Sequence, residues 1–204
     1  MAEKSIYLAS RSPRRRDLLK QIGIDFEMLL LRSDPRRGPD VDETPRGDET
    51  PLDYAVRIAR MKAEVGMRAV AMRRLRPKPV LAADTTVVLG DAIIGKPADR
   101  DDAVQILSSL SGREHQVISV VAMSYRDQVE HRVSTSAVWF RKIADEEIRR
   151  YADSGEPMDK AGAYGIQGRA GVFVTRIEGS YSGIMGLPLA ETAELMHKFG
   201  IAVL

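Results

Sequence analysis

The stretch Tyr7-Leu8-Ala9-Ser10-Arg11-Ser12-Pro13-Arg14-Arg15-Arg16-Asp17-Leu18-Leu19 carries the reading of the fold. The apolar run from Ile6 to Ala9 reads as a buried strand, and a helix begins at Pro13. Ser12 stands where an N-cap belongs, and Pro13 stands where a missing N–H costs nothing. Three arginines then fill the first turns, beside the positive end of a helix dipole that disfavours them. A polyanion held at the helix N-terminus explains that placement. So does an ordinary strand-loop-helix with a solvated basic face, and this segment alone leaves both readings open.

Outward from this unit, strand-like and helix-like segments alternate, which argues an α/β fold. Phe26 to Leu31 is a second apolar run, and Arg32 to Thr50 reads as a long loop carrying Asp40, Asp42 and Glu43. Pro51 to about Met72 reads as a helix with Leu52, Ala55, Ile58, Ala59 and Lys62 near one face. Val80 to Ala83 reads as a buried strand broken by Asp84 and resumed from Thr85 to Leu89, with a turn at Gly90-Asp91. Asp99 to Leu110 is a second helix. Gln116 to Ser124 and Val129 to Arg141 read as an antiparallel pair about Arg126-Asp127. A short helix over Asp145 to Ala152, a Gly-rich stretch from Gly155 to Gly171, a strand over Val172 to Ile177 and a helix over Pro188 to Phe199 follow. No linker separates two domains, so a single domain over 1–204 is expected, with room for two lobes about a cleft.

At 204 residues the chain can bury a sizeable core. A formal net charge of +2 and 5% aromatic residues argue against extensive nucleic-acid binding. The absence of cysteine excludes disulfides, thiolate metal sites and cysteine nucleophiles, and suits a reducing cytoplasm. Met1-Ala2-Glu3-Lys4 leads into a strand, so no signal peptide is expected, and no apolar run approaches the roughly 20 residues of a membrane span. His115, His131 and His197 lack ligand spacing. Any metal is therefore expected to be a hard cation on carboxylates.

Asp84 interrupts an apolar run, where a carboxylate is costly unless paired, metal-bound or placed at a cleft. A functional carboxylate at a cleft is preferred here over an Asp turn or a cap at a sheet edge. Lys62 lies among apolar positions of its helix, from which a lysine stem can snorkel. Lys96, between Gly95 and Pro97, is held in a constrained turn. Glu43, in the acidic loop, reads on its own as an ordinary solvated acid, with reach to a metal beside Asp84 as the alternative. The stretch Arg68 to Lys78 reads as a solvated basic helix end. Cations, two candidate metal carboxylates and an amide at Gln167 match what phosphoryl chemistry on a nucleotide needs. No Gly-x-x-x-x-Gly-Lys-Ser/Thr sequence is present, which excludes a P-loop enzyme.

The chain closely resembles the Maf family of nucleoside triphosphate pyrophosphatases. The resemblance rests on Ser10-Arg11-Ser12-Pro13-Arg14-Arg15, Asp42-Glu43, Ala59-Arg60-Met61-Lys62-Ala63 and Ala83-Asp84-Thr85. Gly95-Lys96-Pro97, Ser111-Gly112-x-x-His115-x-Val117, Asp159 to Gly168, Gly179-Ser180-Tyr181 and Gly186-Leu187-Pro188-Leu189 continue it in order. It implies an inosine-triphosphatase-like α/β fold, a central mixed sheet flanked by helices with two lobes around a nucleotide cleft. It also implies metal-dependent hydrolysis of a nucleoside triphosphate, with Mg²⁺ or Mn²⁺, to the monophosphate and pyrophosphate.

By this resemblance Asp84 is the proton acceptor and, with Glu43, a metal ligand. Ser10, Arg14, Arg15, Lys62 and Lys96 hold the triphosphate. Arg14, Thr85 and Gln167 match the pattern of the dTTP/UTP branch, so canonical or modified pyrimidine nucleotides are the expected substrates in a house-cleaning role. The loop from Arg32 to Thr50 looks extended relative to shorter members, which leaves the choice among Asp40, Asp42 and Glu43 open. The resemblance further implies a cytoplasmic homodimer. The rival readings are the same chemistry on 7-methyl-GTP and a nucleotide-binding regulator of cell division with little turnover.

Overall fold

A computed structural model describes residues 5–34 and 38–203. The elements, in chain order, are β1 (Ser5–Leu8), α1 (Pro13–Gln21), β2 (Asp25–Met28), β3 (Ser33–Asp34), β4 (Gly38–Pro39), α2 (Pro51–Met72), β5 (Val80–Leu89) and β6 (Ala92–Ile94). Then come α3 (Arg100–Leu110), β7 (Glu114–Tyr125), β8 (Gln128–Phe140), α4 (Asp145–Asp153), β9 (Val174–Glu178), α5 (Tyr181–Met185) and α6 (Leu189–Lys198). The expected Gly-rich stretch is built from three short 3₁₀ turns, Glu156–Asp159, Ala161–Ala163 and Arg169–Phe173. The last of them delays the following strand to Val174. Of the long loop expected over Arg32 to Thr50, β3 and β4 form a small antiparallel ribbon, and residues 35–37 lie outside the described ones, as do 1–4. Among the described residues no helix is long and apolar enough to cross a membrane.

The main sheet is mixed, as expected. Its order is β2-β1-β5-β7-β8-β9, with β6 paired to β5. β1 runs parallel to β2 and β5, and the remaining pairs are antiparallel. Alternation of side chains along β5 divides the core. Val80, Ala82 and Val88 face α2, where Ala55, Ala59 and Ala63 let the helix approach closely. Leu81 and Ala83 face the opposite side and pack with Leu18 and Leu19 of α1 and Leu195 and Met196 of α6. Farther along that same face, Val87 joins a third cluster with Leu107, Phe140 and Tyr164. Two apolar clusters thus sit side by side on one face of a continuous sheet, one at either end of β5.

Three readings need correction. β5 is not broken at Asp84: Val80 to Val88 pair with β7 without interruption, and Asp84 lies opposite Val120. Backbone pairing is indifferent to a polar side chain that has somewhere to go. Leu52 of α2 is 44% exposed and lies off the apolar face. The basic stretch after α2 is not wholly solvated, because Lys78 is buried against Glu27 (2.6 Å) and Ser5 Oγ (2.7 Å).

Candidate functional site

The site begins with a gap in a sheet edge. One edge of β5 is taken by β7 along nearly its whole length. On the other edge, β1 reaches only Val80 and Leu81, and β6 resumes at Val87. Between them, among the described residues, no strand lies on this edge of the backbone from Ala82 to Thr86, and a cleft of about 880 Å³ opens there. That volume suits a small-molecule ligand. Asp84 is therefore at a cleft although it lies within a strand.

Asp84 is 7% exposed and is answered on both oxygens. Lys62 Nζ donates to Oδ1 at 2.8 Å, and the Thr86 hydroxyl donates to Oδ2 at 3.1 Å. The same ammonium lies 3.0 Å from Glu43 Oε1. Lys62 does not snorkel to solvent: it bridges two carboxylates. The Tyr54 hydroxyl, also on the cleft, is pushed up to about 12 by burial and by the charges of Asp84 and Glu43.

The loop acids are separated by the structure. Asp40 accepts from the Arg32 backbone N–H (2.7 Å) and pairs with its guanidinium (3.1 Å). Asp42 accepts from the Thr44 backbone N–H at 2.9 Å, a bond within its own turn. Only Glu43 of the three lines the cleft.

Thr85, next to Asp84, points to the other face of the sheet. Arg15 Nη2 donates to its hydroxyl at 3.2 Å, and the Ser119 hydroxyl on β7 lies 3.1 Å away. Ser119, fully buried, donates to the Gly183 carbonyl at 2.6 Å. Arg15 also donates from Nη1 to Ser10 Oγ (3.2 Å) and from Nε to the Gly186 carbonyl (2.8 Å). Gly186 ends α5 with φ +118°, a conformation glycine adopts without steric penalty. Burial lowers the Arg15 guanidinium from its usual value, and Asp84 opposes that shift.

Ser12 occupies the N-cap of α1, but its side chain makes no capping bond. Its N–H instead donates to Ser10 Oγ at 3.2 Å, so Ser10 organises the loop between β1 and α1. Arg14 lines the cleft beside Arg15. Lys96 stands exposed at the rim, and its turn is tied to the Gly-rich stretch by Gly162 N–H donating to the Gly95 carbonyl (3.0 Å). Gln167 is exposed and lines the same cleft.

Of the residues singled out in the sequence, Ser10, Arg14, Arg15, Glu43, Lys62, Asp84, Thr85, Lys96 and Gln167 line one cleft, and Asp40 and Asp42 do not. Among the described residues, seven basic side chains line it against three acidic ones, a local excess that a net charge of +2 conceals. Such a lining favours a polyanion. Sequence reasoning missed Thr86, Ser119, Tyr54 and Arg57. The first two are visible only once β5 is seen as continuous and paired to β7. Tyr54 and Arg57 had a signal, since they precede Lys62 by eight and five positions on one helix.

Two carboxylates touching a single ammonium are a donor set suited to a hard divalent cation, which takes oxygen ligands and keeps several waters or substrate oxygens. Among the described residues no group of three His, Cys, Asp or Glu side chains could hold a metal. A cation at this place would draw its remaining ligands from phosphate and water.

The family model described as Maf-like protein matches residues 5–199. Similar curated proteins share most of the chain. One from Dechloromonas aromatica (strain RCB), named dTTP/UTP pyrophosphatase, is 54% identical over 195 residues, covering 96% of this chain and 97% of its own length. One of the same name from Nitrosomonas europaea is 54% identical and covers 99% and 98%. Another from Aromatoleum aromaticum is 56% identical and covers 96% and 95%. Among solved structures, the Ham1 protein of Staphylococcus aureus aligns with 70% of this chain and 73% of its own, at 24% identity and a TM-score of 0.44.

Proposed function

The chain belongs to the Maf family, and from that premise we propose that it is a nucleoside triphosphate pyrophosphatase acting on dTTP and UTP. The reading draws on relatives of that name that match nearly the whole chain at 54–56% identity. The observation that carries the chemistry is Asp84, seated in the gap of the sheet edge with Lys62 at 2.8 Å and Glu43 across the same ammonium. The reaction joins a water oxygen to the α-phosphorus and breaks the bond from that phosphorus to the α,β-bridging oxygen. The products are the nucleoside monophosphate and pyrophosphate.

In this reading Asp84 accepts the proton of the attacking water. Lys62 holds the Asp84 carboxylate in place through the 2.8 Å bond to Oδ1. Ser10, Arg14, Arg15, Lys62 and Lys96 bind the triphosphate, and the cations stabilise the pyrophosphate as its charge grows. Asp84 and Glu43 would hold Mg²⁺ or Mn²⁺, which supplies charge neutralisation at the α-phosphate when bound. Arg14, Thr85 and Gln167 select the pyrimidine. The whole chain acts as one domain, working as a cytoplasmic homodimer, which sedimentation of the purified protein checks.

The test is pyrophosphate release from dTTP, UTP, CTP, 7-methyl-GTP, dATP and GTP, each with Mg²⁺ or Mn²⁺. Metal-dependent release confined largely to dTTP and UTP is expected. Release mainly from 7-methyl-GTP overturns the reading of the base pocket. Binding of dTTP without release from any nucleotide overturns the enzymatic reading.

A further inference from the structure

Glu43 has no helix or strand of its own to hold it. It stands between β4 and α2, with its side chain 53% exposed. An ion pair that open to water contributes too little to fix a loop. The loop is held instead by α2. Arg57 Nη1 donates to the Asp42 carbonyl at 3.4 Å and Nη2 to the Thr44 carbonyl at 3.1 Å. The Tyr54 hydroxyl donates to the Glu43 carbonyl itself at 3.0 Å. Three consecutive carbonyls centred on Glu43 are thus held by two side chains one turn apart, on the helix that also carries Lys62.

Arg57 is itself secured. Its guanidinium grips Glu49 by two bonds of 2.6 and 2.7 Å, and the two side chains are 15% and 9% exposed. The Tyr54 ring lies 5.5 Å from the same guanidinium. Arg57 does not line the cleft, so it has no direct reach to substrate. A lysine could not replace it, because one ammonium cannot span a carboxylate and two carbonyls in a fixed fork.

We propose that Arg57 is a positioning residue, which clamps the backbone on both sides of Glu43 so that its carboxylate stands over Lys62 and Asp84. The metal-binding consequence rests on the reading of Glu43 given above. An outer residue that orients a metal ligand typically accounts for about 10–100-fold in metal affinity.

The experiment compares wild type, Arg57→Ala, Arg57→Lys, Glu43→Ala and the double variant Glu43→Ala/Arg57→Ala. Binding of Mn²⁺ in the presence of α,β-imido-dUTP is followed by loss of the free-ion electron paramagnetic resonance signal. Arg57→Ala and Arg57→Lys are each expected to weaken Mn²⁺ binding about 10–100-fold, and the double variant no further than Glu43→Ala alone. A second readout is the rate of tryptic cleavage after Arg46, expected to rise several-fold in both Arg57 variants.

Additive losses in the double variant, or Mn²⁺ binding unchanged by Arg57→Ala while Glu43→Ala weakens it, would overturn the proposal. If Glu43→Ala itself leaves Mn²⁺ binding intact, the metal reading of Glu43 falls. The clamp then stands or falls on Arg46 cleavage alone, and equal rates in wild type and Arg57→Ala overturn it.

Discussion

Asp84 and Thr85 are adjacent on β5, yet they work on opposite faces of the sheet. The Asp84 face is ionic: Asp84 meets the Lys62 ammonium of α2, which also meets the Glu43 carboxylate of the preceding loop. The Thr85 face is mostly neutral. Thr85, Ser119 and the carbonyls of Gly183 and Gly186 form a chain of hydrogen bonds, with Arg15 as the charged member at its end. His115 continues this face along β7, two strand positions before Val117, and is 2% exposed. Both faces reach one cleft only because the neighbouring edge of β5 is open between Leu81 and Val87. On the proposed reading, one strand carries reactivity on one side and recognition on the other, one residue apart.

The sharpest way to break this contrast is to neutralise each side in turn. Asp84→Asn is expected to lower kcat on dTTP by about 10²–10⁴-fold, the usual contribution of a general base, with circular dichroism unchanged. Thr85→Val is expected to keep kcat within about tenfold of wild type, since it removes a hydrogen bond and no charge. Comparable losses of kcat in the two variants would erase the distinction between the faces.

The neutral face makes its own prediction about acid. Burial lowers the His115 imidazole to about 4, and its Nε2 meets the Tyr164 hydroxyl at 2.9 Å while Nδ1 has no partner among the described residues. The unfolded chain takes up a proton near pH 6.5, but the folded one does not until about pH 4. Stability is therefore full above pH 6.5 and falls by about 1.4 kcal/mol per pH unit below it, about 3 kcal/mol in all by pH 4. Urea melts of wild type and His115→Gln between pH 7 and pH 4 measure this. The variant is expected to be less stable at pH 7 but to lack that part of the slope. An identical slope in both would place the acid sensitivity elsewhere.

The smallest effect concerns selectivity. Gln167→Ala, and Thr85→Val to a similar degree, are expected to narrow the ratio of kcat/KM between dTTP and 7-methyl-GTP by about tenfold, the scale of one lost polar contact of 1–2 kcal/mol. The Mn²⁺ dependence should not move. A shift in metal dependence without a shift in base preference would assign these residues to the ionic face.

The sequence made α2 legible as a helix from Pro51 to about Met72. Thr50-Pro51 supplies a capping side chain and a first-turn proline, and Ala55, Ile58, Ala59 and Ala63 repeat at helical spacing. The β7–β8 pair was equally open, because alternation and the Arg126-Asp127 turn are local signals. α5 went unread, for its five residues Tyr181–Met185 are too few for periodicity to show. The apolar run around Asp84 suggests a break in its strand, yet β5 pairs with β7 straight through it. What makes it tolerable is the missing neighbour beside Ala82 to Thr86, a property of sheet order that no local pattern records. Ser119 and Arg57 escaped for the same reason, since their partners arrive through tertiary packing.

The role of Asp84 depends on where water attacks, and hydrolysis of dTTP in ¹⁸O-labelled water tests that most directly. Mass spectrometry of the two products locates the label. A base at Asp84 serving attack on the α-phosphorus predicts ¹⁸O in the nucleoside monophosphate and none in the pyrophosphate. Label in the pyrophosphate would mean attack at the β-phosphorus, and would contradict the placement of the reacting water beside Asp84.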